Sequence, residues 1–181
     1  MIDIIAPAFK TYPILVPSLI CQTSDRWRLQ ICHDGQDDYF KYCMSGFQDK
    51  RIVATETEQV TGFWGHKIRD VLIDNLVDEG QYIICSNHDN YFMPTMIQQV
   101  ELQTEDIILF DCIHNYYDYS VLAAIINHSN VDCSQVAVKC SIVKEVGWKW
   151  VHNSSDYNWV QACWLQAKTY KFLNKNLIVH N

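Results

Sequence analysis

GHKIRDVLIDNLVDEGQYIICSNHDNYFMP, residues 65–94, sets the reading of the fold. Ile68, Val71, Leu72 and Leu76 fall on one helical face, and Gly80 reads as a stop, so the spacing predicts a helix over 65–80. QYIIC (81–85) follows, almost wholly apolar, as a strand covered on both faces must be. The run then ends in Asn87, His88, Asp89 and Asn90. Pro94 suits the first turn of a short helix, PTMIQQVEL. A helix, a buried strand and a polar strand end make one step of an alternating α/β chain.

Working outward, the alternation repeats. IDIIAP (2–7) reads as a buried strand closed by Pro, and YPILVPSLICQ (12–22) as a helix. WRLQICH (27–33) is a second strand, and HDGQDD (33–38) turns the chain at Asp-Gly. RIVATE (51–56) is a third strand, DIILFDC (106–112) a fifth and NLIVH (176–180) the last. SSDYNWVQACWLQAKTYKFL (154–173) reads as a long helix capped by Ser154 or Ser155, with Asp156 in its first turn. Together these predict an α/β, Rossmann-like single domain over 1–181, its mainly parallel sheet flanked by helices. Ligands of such sheets bind at the carboxyl ends of strands, which singles out His33, Asp34, Asn87 to Asn90 and Asp111.

Composition narrows the partners. The chain has 181 residues, 49% of them hydrophobic, enough for one full core, and no repeat or linker divides it. A net charge of −7 without a basic stripe argues against a nucleic-acid partner. Met1 to Ile20 contains Lys10 and is broken by Pro7, Pro13 and Pro17. It reads as a strand and a helix start rather than a signal peptide or a membrane span, which points to the cytoplasm. The eight cysteines form no C-x-x-C pair and read as reduced thiols. The sequons at 127–129 and 153–155 are chance matches on this reading.

Several residues each admit two roles. Asp89, helped by Asn87 and Asn90, could ligate a hard divalent cation, or could belong to an Asx-rich turn. Asn87-His88-Asp89 also resembles a motif of calcineurin-like phosphoesterases, but the D-x-H and G-D-x-x-D that such metal sites need are missing. Arg69 could meet a diphosphate or pair with Asp70 or Asp74. Asp156 could be a general base or serve the helix dipole. His180 could be a ligand or a solvated chain end.

In order, these pieces resemble the GT-A-type glycosyltransferases, most of all the inverting family 2. Residues 4–38 resemble the opening strand, a helix ending near a Gln, and a strand ending in Asp-Asp-Gly. Residues 65–94 resemble the block with Arg on a helix, a strand, a D-x-D loop and a Pro. VGWKWVHNSSDYNWVQ (146–161) resembles the Gly-aromatic pair before a Glu-Asp at a helix start. His33, Asn87 and Ser155 stand where the family keeps acids, while Asp34, Asp89 and Asp156 are retained, and the chain is short, close to a minimal catalytic core. The resemblance implies a nucleotide-binding half (about 1–93) and an acceptor and catalytic half (about 94–181). Ala6, Pro7, Phe9 and Asp34 would meet the base, Arg69 would lie near the base or the diphosphate, and Asn87 and His88 would also contact the nucleotide. Asp89 and His180 would hold a divalent metal, manganese rather than magnesium, and Asp156 would be the general base. Trp148 and Trp150 would lie on the acceptor side. The implied activity is transfer of a sugar from a nucleotide sugar, a UDP-sugar first, to a hydroxyl acceptor. A nucleotide-sugar-binding module without turnover is the alternative.

Overall fold

The sheet is built around β1 (Ile2–Ala8), whose seven residues are all buried. Successive side chains of a strand point to opposite faces. Ile2, Ile4, Ala6 and Ala8 accordingly enter one hydrophobic core, and Ile5 enters the other. In the computed structural model all residues are described except 11, 77–79, 127–130, 150, 151 and 153.

β2 (Trp27–His33), β3 (Ile52–Glu56) and β4 (Tyr82–Cys85) lie parallel to β1 in the order β3-β2-β1-β4. Beyond β4 the direction changes. β8 (Val136–Lys139) pairs antiparallel with β4 and with β6 (Ile107–His114). β9 (Tyr170–His180) runs parallel to β6, with register shifts around Asp111, and the short β5 (Tyr91–Phe92) closes that edge. β7 (Ser120–Leu122) forms a side ladder on β6. The parallel half is the one legible in the apolar runs. β8 escapes the sequence reading because four residues, VAVK, leave too little periodicity to separate a strand from a loop.

Helices cover both faces. α1 (Leu15–Ile20), α2 (Asp38–Ser45) and α4 (Met96–Glu101) bury Leu15, Leu19, Phe40, Met96 and Val100 in the first core. α3 (His66–Asp74), α5 (Cys140–Val146) and α6 (Ser155–Gln166) bury Ile68, Leu72, Val143, Trp159 and Cys163 in the second. α2 follows the Asp-Gly turn because the Asp37 side chain caps it, accepting from the Phe40 amide at 2.7 Å.

Two boundaries differ from expectation. The last helix stops at Gln166 instead of 173. The Asp106 carboxylate accepts the backbone N–H groups of Lys168 (2.8 Å) and Thr169 (3.1 Å), which draws the chain into register with Ile107, so 170–173 belong to β9. α3 ends at Asp74, with Asn75 at its C-cap, and Gly80 answers a different need. Its amide donates to Asp3 Oδ2 at 2.7 Å, and a Cβ there would lie 2.4 Å from the same oxygen. Among the described residues no helix is long and apolar enough to cross a membrane. All eight cysteines are free, and seven are buried.

Candidate active site

A cavity of about 580 Å³ opens at the carboxyl ends of β1, β2 and β4. Pro7, Phe9, Asp34, Asn87, His88, Asp89 and His180 line it, so seven of the residues singled out from sequence meet in one place. Ala6, Arg69, Trp148 and Asp156 lie off this wall. Ala6 is wholly buried in the first core, and Ala8 lies on the wall in its stead. Trp148, expected on the acceptor side, is only 2% exposed, stacked between His66 (5.6 Å) and Trp159 (5.1 Å), which makes it a core residue. Trp150 lies outside the described residues.

The end of β2 is fixed by hydrogen bonds. His33 Nδ1 lies 2.8 Å from the Gly35 carbonyl, and Nε2 accepts from the Lys10 amide at 3.2 Å, which ties the end of β2 to the end of β1. Asp34 accepts the amides of Thr61 (2.5 Å) and Gly62 (2.8 Å), so this carboxylate anchors the segment leading into α3. Each oxygen keeps a second lone pair for a ligand donor.

The loop after β4 is pinned from several sides. The His88 amide donates to the Pro7 carbonyl (3.3 Å), and the His88 carbonyl accepts from Leu15 (3.0 Å). Asn181 Nδ2 donates to the Asp89 carbonyl at 3.0 Å, which ties the end of β9 to this loop. Beneath it, Arg69 is 2% exposed; Nη1 donates to the Trp64 carbonyl (3.1 Å) and Nη2 to Asn87 Oδ1. Arg69 therefore positions the loop from below rather than standing on the wall.

Behind the wall lies an acidic cluster that sequence reasoning missed in part. Ligand atoms of Asp132, Cys133 and Asp156 all lie within 4.8 Å of one another. Asp132 Oδ2 is 3.3 Å from His180 Nε2, and Asp132 also accepts from Ser134. Burial alone would raise the Asp132 carboxyl, but His180 and Ser134 outweigh it and hold it below its ordinary value. The His180 imidazole is raised in return: burial opposes its charge and Asp132 prevails. Burial, then the negative charge of Asp132, pushes Asp156 up to about 6, although Arg69 pulls the other way. Asp132 could not be picked out from sequence, since its only local signal is the capping box it forms with Gln135.

No family model matches the chain, and no curated protein matches it. Solved structures do. TarS 1-349 from S. aureus in complex with UDP superposes with a TM-score of 0.82 at 14% identity, covering 98% of this chain and 59% of that one. The same protein in complex with UDP-GlcNAc gives 0.81 at 14% identity, covering 98% and 57%. The mannosyltransferase PcManGT from Pyrobaculum calidifontis, in complex with GDP-Man and Mn2+, gives 0.72 at 10% identity, covering 99% and 56%.

The fold is that of the GT-A glycosyltransferases.

The chain spans little more than half the length of those structures. Within its GT-A sheet, the cavity occupies the carboxyl ends of the parallel strands, where open α/β sheets bind ligands. Its wall joins β1, β2 and β4 to the distant β9 through His180 and Asn181. Among the described residues, the ligand atoms gathered closely enough for one ion are those of Asp132, Cys133 and Asp156. Asp89 offers a carboxylate on the wall, and His180 is oriented by Asp132, the carboxylate–histidine pairing that commonly supports ligating imidazoles.

Proposed function

We propose that the chain transfers a sugar from a nucleotide sugar, a UDP-sugar first, to a hydroxyl acceptor, with inversion and with a divalent metal. The observation that carries this reading is the single cavity in which Phe9, Asp34, Asn87, Asp89 and His180 converge on a GT-A sheet. Structures of the same fold hold UDP, UDP-GlcNAc, or GDP-Man with Mn2+. The nucleotide-binding half, about 1–93, supplies most of the wall, and the later half brings His180 and Asp156. Phe9 and Pro7 take the base, and Asp34 accepts its N–H. Asn87 and His88 stand beside the diphosphate. Asp89 and His180 would hold the metal, manganese in preference to magnesium because one ligand is a nitrogen. When bound, the metal would neutralise the charge that grows on the diphosphate as the glycosidic bond breaks.

Asp156 is the proposed base. A carboxyl lifted to about 6 is ionised at neutral pH yet basic enough to take a proton from a hydroxyl. Asp156 does not line this cavity; it lies in the cluster with Asp132 and Cys133. That position favours the second reading, a nucleotide-sugar-binding module without turnover. Incubating the chain with UDP-GlcNAc and manganese decides between them. Free UDP above the uncatalysed rate supports the enzyme. UDP-GlcNAc that binds but is never cleaved, across acceptors, supports the module.

Two further results are expected. UDP should bind at least about tenfold more tightly with manganese than without, and Asp89→Ala should erase that gain, as judged by calorimetry. Equal affinity with and without the ion in the wild type would remove the metal from this reading. UDP should also outcompete CDP and ADP, because a carboxylate placed for the uracil N3–H meets a bare ring nitrogen on cytosine and on adenine. Preference for ADP or CDP in a competition titration would rule out the role of Asp34.

A further inference from the structure

Trp64 breaks two habits at once. Its backbone sits in the left-handed region at φ +50°, which non-glycine residues seldom adopt, and its indole is 70% exposed although Trp is usually well buried. It lines the cavity. Two other exposed apolar side chains, Phe9 (45%) and Val60 (66%), line it too. Exposed apolar groups gathered on one cavity rim mark a ligand surface more than scattered ones do.

The segment carrying Trp64 is held firmly. At one end Thr61 and Gly62 donate their amides to Asp34. At the other, Gly65 sits at φ +75° so close to Pro7 that a Cβ would lie 2.2 Å from the Pro7 Cβ. Between them the Trp64 carbonyl accepts from buried Arg69 at 3.1 Å. The indole is therefore solvent-exposed on a fixed backbone. Its described ring contact is with His66, the centroids 6.4 Å apart and the planes inclined at 65°. Unusual backbone held by its surroundings is characteristic of ligand clamps. A flat exposed ring on the same cavity wall as Phe9 and Asp34 suits a planar aromatic ligand.

We infer that Trp64 is a specificity-determining residue that stacks on the nucleobase of the donor. This rests on the nucleotide-sugar reading above and adds the residue that closes the base subsite. Stacking contributes affinity for the base and nothing for the diphosphate, and that difference is measurable. The test compares wild type, Trp64→Phe and Trp64→Ala with UDP, uridine, UDP-GlcNAc and pyrophosphate, each with manganese. Trp64→Ala should weaken UDP and uridine about tenfold or more, the range expected for one base–aromatic stack. Pyrophosphate affinity should stay within about twofold, and Trp64→Phe should restore most of the loss. UDP should quench wild-type tryptophan emission more than that of Trp64→Phe. Unchanged UDP and uridine binding in Trp64→Ala overturns the inference, including the case where only UDP-GlcNAc weakens, which would make Trp64 a sugar platform. Equal losses for UDP and pyrophosphate also overturn it, since they report a disturbed wall. If wild type binds neither UDP nor UDP-GlcNAc, the nucleotide-sugar reading falls with it.

Discussion

Asp156→Asn should cut sugar transfer by about two to four orders of magnitude while leaving UDP affinity within about threefold. Asn keeps the size and one hydrogen-bond acceptor of Asp but cannot take a proton. The same substitution should raise the melting temperature at neutral pH. The sign follows from the direction of the shift. The Asp156 carboxyl is lifted from 3.8 to about 6, so the native chain binds that proton more tightly than the unfolded one. Stability from this group is present below its unfolded value and is lost as pH rises through about 6. Ionised Asp156 thus costs the native state on the order of 1–3 kcal/mol at neutral pH, and a neutral Asn avoids the cost. Lost turnover with gained stability is the signature of a group kept for chemistry. The wild-type rate should fall on the acid side with an apparent pKa about 6. Near wild-type turnover in Asp156→Asn, by UDP release, would exclude it as the base.

The second large effect belongs to Arg69. Arg69→Met should lower stability by about 3–5 kcal/mol, seen as a lower urea midpoint with an unchanged slope. The side chain is 2% exposed and supplies donors to the Trp64 carbonyl and Asn87. It is also the cation facing Asp156, stacked over the Trp148 ring at 4.9 Å. Removing it leaves two acceptors short of a donor and two neighbouring carboxylates without their compensating charge. A loss below about 1 kcal/mol would show that water or the acids themselves make good the change.

The parallel half of the sheet was legible because its evidence is local. Trp27–His33 appears with the same ends in sequence and structure, since an alternating strand between turn signals leaves no other reading. Ile2–Ala8 and Tyr82–Cys85 were legible because strands buried on both faces must be apolar throughout. The polar ends of those strands then had to fall at one edge, which is why Asp34, Asn87 and Asp89 reach one cavity. Asp156 was legible only as an acid at a helix start; the expected serine cap is not made, since Ser154 has no side-chain cap bond and the Ser155 hydroxyl donates to the His152 carbonyl.

Tertiary structure decided what depends on distant neighbours. Nothing near residue 132 in the chain announces that Asp132 meets His180, because β9 brings that imidazole across from the far end. Trp148 and Trp64 are the same residue type in similar surroundings by sequence. Stacking between His66 and Trp159 sends the first into the core, while the left-handed turn held by Gly65, Pro7 and Arg69 leaves the second on the cavity rim. Arg69 carries a charge that sequence alone would place at the surface, and only the packed fold supplies the carbonyl, amide and carboxylates that let it stay buried. Periodicity and turn chemistry are written residue by residue, so the sequence determined the elements and the edge where ligands bind. Burial, stacking and charge pairing are sums over residues far apart in the chain, so the tertiary structure decided which side chains form the wall and which support it from behind.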